Sequence, residues 1–236
     1  MNNLEVFLLS VPIILGVLIF VLIFKKLTKA QSRVSRKMTH ILIGPVFMLT
    51  WLLYPKEDYS SRFYAVLFPA SVSFFLFISY ITPPSFLSKF LLETMSREGK
   101  LKELIEGPFI YGIVISIITI FFWNETPHGI LSILILCLGD GMADVIGSRG
   151  THVLKAPFGR KTIEGCVSFI VFSFVGCLIY EYIFFNTIWF IQTFIVVIVG
   201  CIVEFVSPSL LDNMLIVIAS VITCYLFNWK IGRAHV

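Results

Sequence analysis

Charge is scarce in this chain. Asp, Glu, Lys and Arg together make up 14% of its 236 residues, where a soluble domain carries about 25%. A soluble fold of this size needs a polar surface, and this composition cannot supply one. A soluble globular domain, a disordered chain and a nucleic-acid-binding module are excluded on that ground. Cysteine is also sparse. Cys137, Cys166, Cys177, Cys201 and Cys224 form no Cys-x-x-Cys pair, so neither a zinc site nor a disulfide framework is legible, and they read as small packing residues. No glycine stands five residues before Gly159, which excludes the P-loop spacing, and Gly139-x-Gly141 does not continue as a dinucleotide fingerprint. Period-two alternation is missing from the apolar runs, which excludes a transmembrane barrel.

What is present is apolar surface. Hydrophobic types reach 58%, Phe occurs 24 times, and the mean hydropathy is +0.94. A bilayer core of ~30 Å takes ~20 apolar residues per helix. Eight such stretches are predicted, near residues 5–24, 38–54, 62–81, 109–124, 128–147, 165–185, 188–206 and 213–229. The fold class is therefore all-α: a polytopic integral membrane helical bundle of about eight transmembrane helices, read as one catalytic domain over residues 1–230. The opening segment lacks a basic n-region and reads as the first span rather than a cleavable signal. Residues 231–236 resemble the translation of a sequencing adapter and read as a non-native tail, so His235 is set aside with them.

Of 18 Lys and Arg, fourteen fall in the segments 25–37, 82–108 and 148–164, which lie on alternate loops and hence on one side. The first of these contains no acid. The positive-inside rule places that side in the cytoplasm and both termini opposite. The expected location is a multi-pass membrane, endoplasmic reticulum in a eukaryote and the inner or plasma membrane in a bacterium. The net charge of +4 is then a topology signal, not a nucleic-acid one.

Ionisable residues inside spans are expensive, and each is a site hypothesis. Asp140 and Asp144 stand at i, i+4, on one helix face and about 5–6 Å apart at Cβ. Two carboxylates that close repel in a low dielectric, and a divalent cation removes the penalty. Mg2+ takes one or two carboxylates and completes its shell with water and phosphate oxygens. Gly139, Gly141 and Gly147 leave the backbone open to a bulky ligand. Arg160, Lys161 and Thr162 lie at the start of the sixth span, before Gly165, where N–H groups and the helix dipole favour anions. Together these residues predict a metal–phosphate site. Arg36 and His40, with Gly44, share one face of the second span. Glu204 lies at the cytoplasmic end of its span. Glu181 lies near the opposite interface and reads as solvated. His128 and His152 stand alone in loops without a role.

These residues carry a family resemblance. Gly139-Asp140-Gly141-Met142-Ala143-Asp144-Val145-Ile146-Gly147, followed by Lys161-Thr162-Ile163-Glu164-Gly165, resembles the signature of CTP-dependent polyprenol kinases, phytol and farnesol kinase first and dolichol kinase more distantly. Arg36-Lys37-Met38-Thr39-His40 resembles the family's Arg-Lys-x-x-His element. Ser96-Arg97-Glu98-Gly99 with Glu103 to Pro108 resembles its cytoplasmic segment, and Glu204 with Asp212-Asn213 a later element. The family usually has Lys-Ser-x-x-Gly with a nearby Asn, where this chain has Lys161-Thr162 after Gly159-Arg160. The resemblance implies phosphoryl transfer from CTP to a long-chain isoprenoid alcohol (phytol, farnesol, geranylgeraniol or dolichol type), with Mg2+ as cofactor and the membrane lipid around it. Asp140 and Asp144 then hold the metal, Lys161 with Arg160 stabilises the transferred charge, and His40, Glu204 or Asp212 takes the hydroxyl proton. Related chemistry stays open: a CTP:phosphatidate cytidylyltransferase-like activity or a CTP-dependent diacylglycerol kinase. The non-enzymatic alternative is an ion-coupled transporter.

Overall fold

A computed structural model describes residues 1–29, 32–83, 85–96, 99–208, 211–227 and 229. Among them almost everything is helical. The helices are α1 (Asn3–Thr28), α2 (Ser32–Thr50), α3 (Ser61–Ile81), α4 (Phe86–Met95), α5 (Leu101–Phe121), α6 (Pro127–Gly147), α7 (Ile163–Phe185), α8 (Phe190–Val206) and α9 (Asp212–Tyr225). Each of the eight predicted stretches is helical over most of its length. Five helices, α1, α3, α5, α6 and α7, are long and apolar enough to cross a membrane; α8 and α9 are apolar but shorter. The chain is thus an all-α helical bundle of membrane type. Residues 231–236, the predicted tail, lie outside the described residues, as does Arg97.

The chain divides into two compact units, Met1–Ile120 and Phe121–Val236. In the first, α1 opens with a capping box: Asn2 accepts from the Glu5 N–H while the Glu5 carboxylate accepts from the Asn2 N–H. Asn3, buried in the first turn, donates to Asp58 Oδ2 at 2.6 Å and Ser60 Oγ at 2.8 Å, fixing α1 to the start of α3. Leu18, Leu76, Leu91, Met95 and Leu104 form a core shared by α1, α3, α4 and α5. Apolar burial does not drive helix association in lipid, so close packing of small residues has to help. A Cβ on Gly112 of α5 would fall 2.2 Å from Ser73 Oγ of α3, which is the contact that brings those two helices together.

The second unit is organised around α6. Pro127 begins it at N1, where the missing N–H costs nothing. Every side chain from Ile130 to Cys137 is buried, so α6 is the central helix, with α7, α8 and α9 packed around it. Small residues again set the approach. A Cβ on Gly176 of α7 would meet Leu138 Cδ1 at 2.2 Å, and one on Gly200 of α8 would meet Ile135 Cγ2 at 2.8 Å. A short hairpin precedes α7: β1 (Val153–Leu154) pairs antiparallel with β2 (Lys161–Thr162), in the register Val153 to Thr162 and Leu154 to Lys161.

Two expectations need correction here. Glu181 is not solvated. It is fully buried and accepts from the Trp189 N–H at 3.0 Å and from the Thr193 hydroxyl, so it caps the start of α8 from α7. His128 is not alone in a loop. It lies in the first turn of α6, buried with its ring 4.6 Å from that of Tyr225 and 6.3 Å from that of Trp229.

Candidate active site

Two of the helices that carry predicted motif residues contain a π turn. In α6 it runs over Ile135–Asp140, and in α5 over Ile105–Phe109. A π turn inserts one residue into the α-helical ladder and re-aims the side chains beyond it, and such turns concentrate at functional sites. Asp140 is the last residue of its π turn and is 6% exposed. From Asp140 onward the helix is regular α to Gly147, so Asp144 follows one α turn later on the same face. Asp144 is half-buried.

The acidic end of α6 packs directly on the start of α7. Thr162 is the N-cap of α7; its hydroxyl oxygen accepts from the Gly165 N–H at 3.2 Å and donates to the Gly147 carbonyl at 3.2 Å. Ser168, one turn further, bonds the Met142 carbonyl at 3.2 Å. A Cβ on Gly165 would stand 3.2 Å from both the Ala143 carbonyl oxygen and the Gly147 Cα. Contrary to the expectation from the sequence, Gly139 and Gly147 do not leave the backbone open to a ligand: the space beside Gly139 is filled by Ser173 and Phe169, and that beside Gly147 by Thr162 and Gly165, so both serve close helix packing. Gly141 is buried in the first α turn after Asp140. These contacts bring the aspartate helix and the Lys161-Thr162 strand to one place.

Lys161 Nζ forms an ion pair with Glu204 Oε1 of α8, the two side chains being 19% and 7% exposed. Nothing in the sequence spacing signals this pair, because the partners are on different elements. Arg160 turns back onto its own loop, donating to the Gly150 carbonyl at 2.7 Å and the Ser148 carbonyl at 3.5 Å. Its guanidinium thus braces the 148–150 turn beside the site. A second brace is Glu164, in the first turn of α7. Its Oε1 accepts from the Thr151 N–H and hydroxyl at 2.9 and 3.1 Å and from the His152 N–H at 3.2 Å, with His152 Nδ1 at 2.9 Å. His152 therefore has a partner that the sequence reading did not give it. The legible signal was an acid in the first turn of a helix. Asp212 begins α9, its Oδ1 accepting from the Asn213 N–H at 2.7 Å.

The remaining predicted residues belong to the first unit. Arg36, Lys37 and His40 lie on α2. Lys37 is 5% exposed. The Arg36 guanidinium lies against Gly107 in the π turn of α5, where any Cβ would come within 2.9 Å of it. The His40 ring packs on that of Tyr111, tilted by 40° with centroids 4.4 Å apart, and the Tyr111 hydroxyl donates to the His40 carbonyl at 3.1 Å. Ser96 and Glu103 of the predicted cytoplasmic segment are joined at 2.7 Å.

Among the described residues no group of three or more His, Cys, Asp or Glu is placed to hold a metal, so a closed all-protein metal cage is not built from them. Two oxygen donors on consecutive turns, one of them buried, do fit an octahedral cation that takes most of its ligands from water and phosphate.

Phytol kinase 1, chloroplastic, of Arabidopsis thaliana is 32% identical over 233 residues, covering 92% of this chain and 75% of that protein. The chain belongs to the polyprenol kinase family. Within that family, the probable phytol kinase of Triticum aestivum is 38% identical over 133 residues, 56% of this chain and 42% of the wheat protein. The farnesol kinase of Arabidopsis thaliana is 31% identical over 156 residues, 65% of this chain and 49% of that protein. These relatives carry the designation chloroplastic. No family model matches the chain, and no solved structure does. The family alignment with the first relative runs over most of the chain, so the α2 element and the α6–α7 motifs fall in one related sequence rather than in two unrelated ones.

Proposed function

We propose that this chain is a membrane kinase that transfers a phosphoryl group from CTP to a long-chain isoprenoid alcohol. The observation that carries the reading is the packing of the α6 end, with Asp140 and Asp144, against the capped start of α7, with Lys161 and Thr162. Acidic and basic groups are then carried by two elements that pack directly on each other, which suits phosphoryl transfer, a reaction that is mostly positioning and charge stabilisation. Relatives named phytol kinase and farnesol kinase supply the class of acceptor.

Asp140 and Asp144 would hold a Mg2+ ion, which when bound neutralises phosphate charge and fixes the donor. Lys161 donates to the oxygens of the transferring group. The N-terminal amides of α7 add positive potential. Arg160 and Glu164 hold the 148–152 turn still, so the strand that bears Lys161 does not wander. The protein's apolar helix faces admit the alcohol laterally from the lipid, and a side-chain base takes its hydroxyl proton; Asp212, in the same unit as the two aspartates and Lys161, is a candidate for that step.

The test is transfer of label from [γ-32P]CTP in membranes containing the chain, with a panel of isoprenoid alcohols. A labelled prenyl monophosphate with release of CDP supports the reading. Release of pyrophosphate with a cytidylyl lipid indicates a cytidylyltransferase instead, and labelling of diacylglycerol alone moves the acceptor class.

A further inference from the structure

Glu204 reaches the candidate phosphate site from a third helix, and its position is built rather than incidental. It lies in the last turn of α8 and is 5% exposed. One turn earlier, Gly200 sits where a Cβ would fall 2.8 Å from Ile135 of α6 and 3.5 Å from Phe169 of α7. The neighbouring Cys201 thiol points at the Cys166 carbonyl in the first turn of α7, at 3.8 Å. These contacts lock α8 at the level of the α7 N-terminus, so the Glu204 carboxylate arrives at a fixed point.

Lys161 has the opposite character. Its backbone is held by the pairing with Leu154, but its side chain is a flexible four-carbon stem ending in a compact charge. Left to itself the ammonium would sample many rotamers at the edge of the site. An ammonium has three donors. The carboxylate occupies one of them, which leaves two for phosphate oxygens.

We propose that Glu204 is a positioning residue for the phosphoryl transfer: it holds the Lys161 ammonium in the one orientation that meets the transferring phosphate, and it does not itself take the acceptor's proton. The inference rests on the reading of Lys161 as a donor-phosphate ligand. It has a specific consequence. Because Glu204 contributes negative charge beside a polyanion, it lowers ground-state attraction for the nucleotide while it improves the geometry of the transition state. Its removal therefore lowers kcat without raising the KM for the nucleotide. A defect of packing alone has no reason to separate the two constants in that direction.

The experiment compares the full chain with Glu204→Gln, Glu204→Asp, Lys161→Met and the double variant Lys161→Met/Glu204→Gln, in membranes at matched abundance, with CTP as the varied substrate. Glu204→Gln is expected to lower kcat by about 10–100-fold, the range seen for outer partners that orient a metal ligand, with the nucleotide KM unchanged or lower. Glu204→Asp recovers part of the loss. On the Lys161→Met background, Glu204→Gln is expected to change kcat by less than about 2-fold, because a group that acts only through Lys161 has nothing left to act on. The double variant buries no unpaired charge and so serves as the folded comparator. Wild-type or raised kcat in Glu204→Gln overturns the proposal, and so does a full Glu204→Gln loss repeated on the Lys161→Met background. A Lys161→Met protein with wild-type kcat overturns the donor-site reading as well, whereas a slow Lys161→Met beside a fast Glu204→Gln removes only the positioning role.

Discussion

Gly147 and Gly165 face each other so closely that a Cβ built on Gly165 would lie 3.2 Å from the Gly147 Cα. Two helix backbones meet there with nothing between them, and on either side stand Asp144 and Lys161. The separation of the acidic and basic halves of the site is set by this contact. Gly165→Val is therefore expected to force α6 and α7 apart. Two of its three nearest neighbours, the Ala143 carbonyl oxygen and the Gly147 Cα, are backbone atoms that cannot rotate away, so an overpacking cost of about 1–3 kcal/mol follows, together with loss of turnover. Gly16→Ala is the control: a Cβ there meets nothing within 4 Å, and replacing a mid-helix glycine gains roughly 0.5–1 kcal/mol. Thermal inactivation and CTP-dependent turnover of the two variants, measured side by side in detergent, check this. Equal behaviour of the two would remove the contact from the argument.

The aspartates are predicted to be separable from folding. Asp140→Asn and Asp144→Asn keep shape and lose charge, in a helix whose other buried positions are nearly all apolar. Each is expected to abolish activity while the protein remains inserted at normal abundance, since removing one of two like charges relieves repulsion rather than adding strain. Raising Mg2+ should recover a fraction of the activity in whichever variant retains one ligand. Near-normal turnover at low Mg2+ in either variant would remove that residue from the metal site.

The i, i+4 aspartate pair was legible because helical spacing is a local property, and so were the helical stretches, because each is a long apolar run. Four features were not legible. The π turn ending at Asp140 leaves no trace in an apolar run, since its hydrophobic pattern differs from an α turn by a single residue. The Lys161–Glu204 pair joins elements whose approach is decided by Gly200 and Cys201 packing, not by charge spacing. Glu181 and His128 were misread for a shared reason. Polar residues near a span end look solvated in one dimension, yet here neighbouring helices and rings close over them. The amphipathic α4 lies within the 82–108 loop segment, and its ten residues are too few to signal a span.

Orientation follows from the Lys and Arg distribution and is open to direct measurement. A single reporter cysteine at Lys155, in a background without the five native cysteines, is expected to react with an impermeant thiol reagent only from the cytoplasmic side. A reporter at Lys56 should react only from the other side. Residue 155 lies in the loop of the β1–β2 hairpin that presents Lys161, so under the proposed function its side is also the side from which the nucleotide comes. Labelling of position 155 from the outer or lumenal face would overturn the orientation and, with it, a cytoplasmic nucleotide pool as the donor.

Glu181 offers a test in which stability and catalysis should part company. Its two carboxylate oxygens serve the Trp189 N–H and the Thr193 hydroxyl at the start of α8. Without it, those two donors are left unpaired in a buried position, at about 1–3 kcal/mol each. Glu181→Ala should therefore inactivate at lower temperature. Glu181→Gln keeps one acceptor oxygen and should lose about half as much. Yet Glu181 lies roughly 27 Å along α7 from Ile163, at 1.5 Å per residue, and has no part in the Asp140–Lys161 site. The fraction of Glu181→Gln protein that remains folded should turn over at close to the normal rate. Turnover per folded molecule, with thermal inactivation measured on the same preparations, decides the matter. If Glu181→Gln is as stable as the parent but catalytically slow, the buried carboxylate is part of the reaction and not a helix cap.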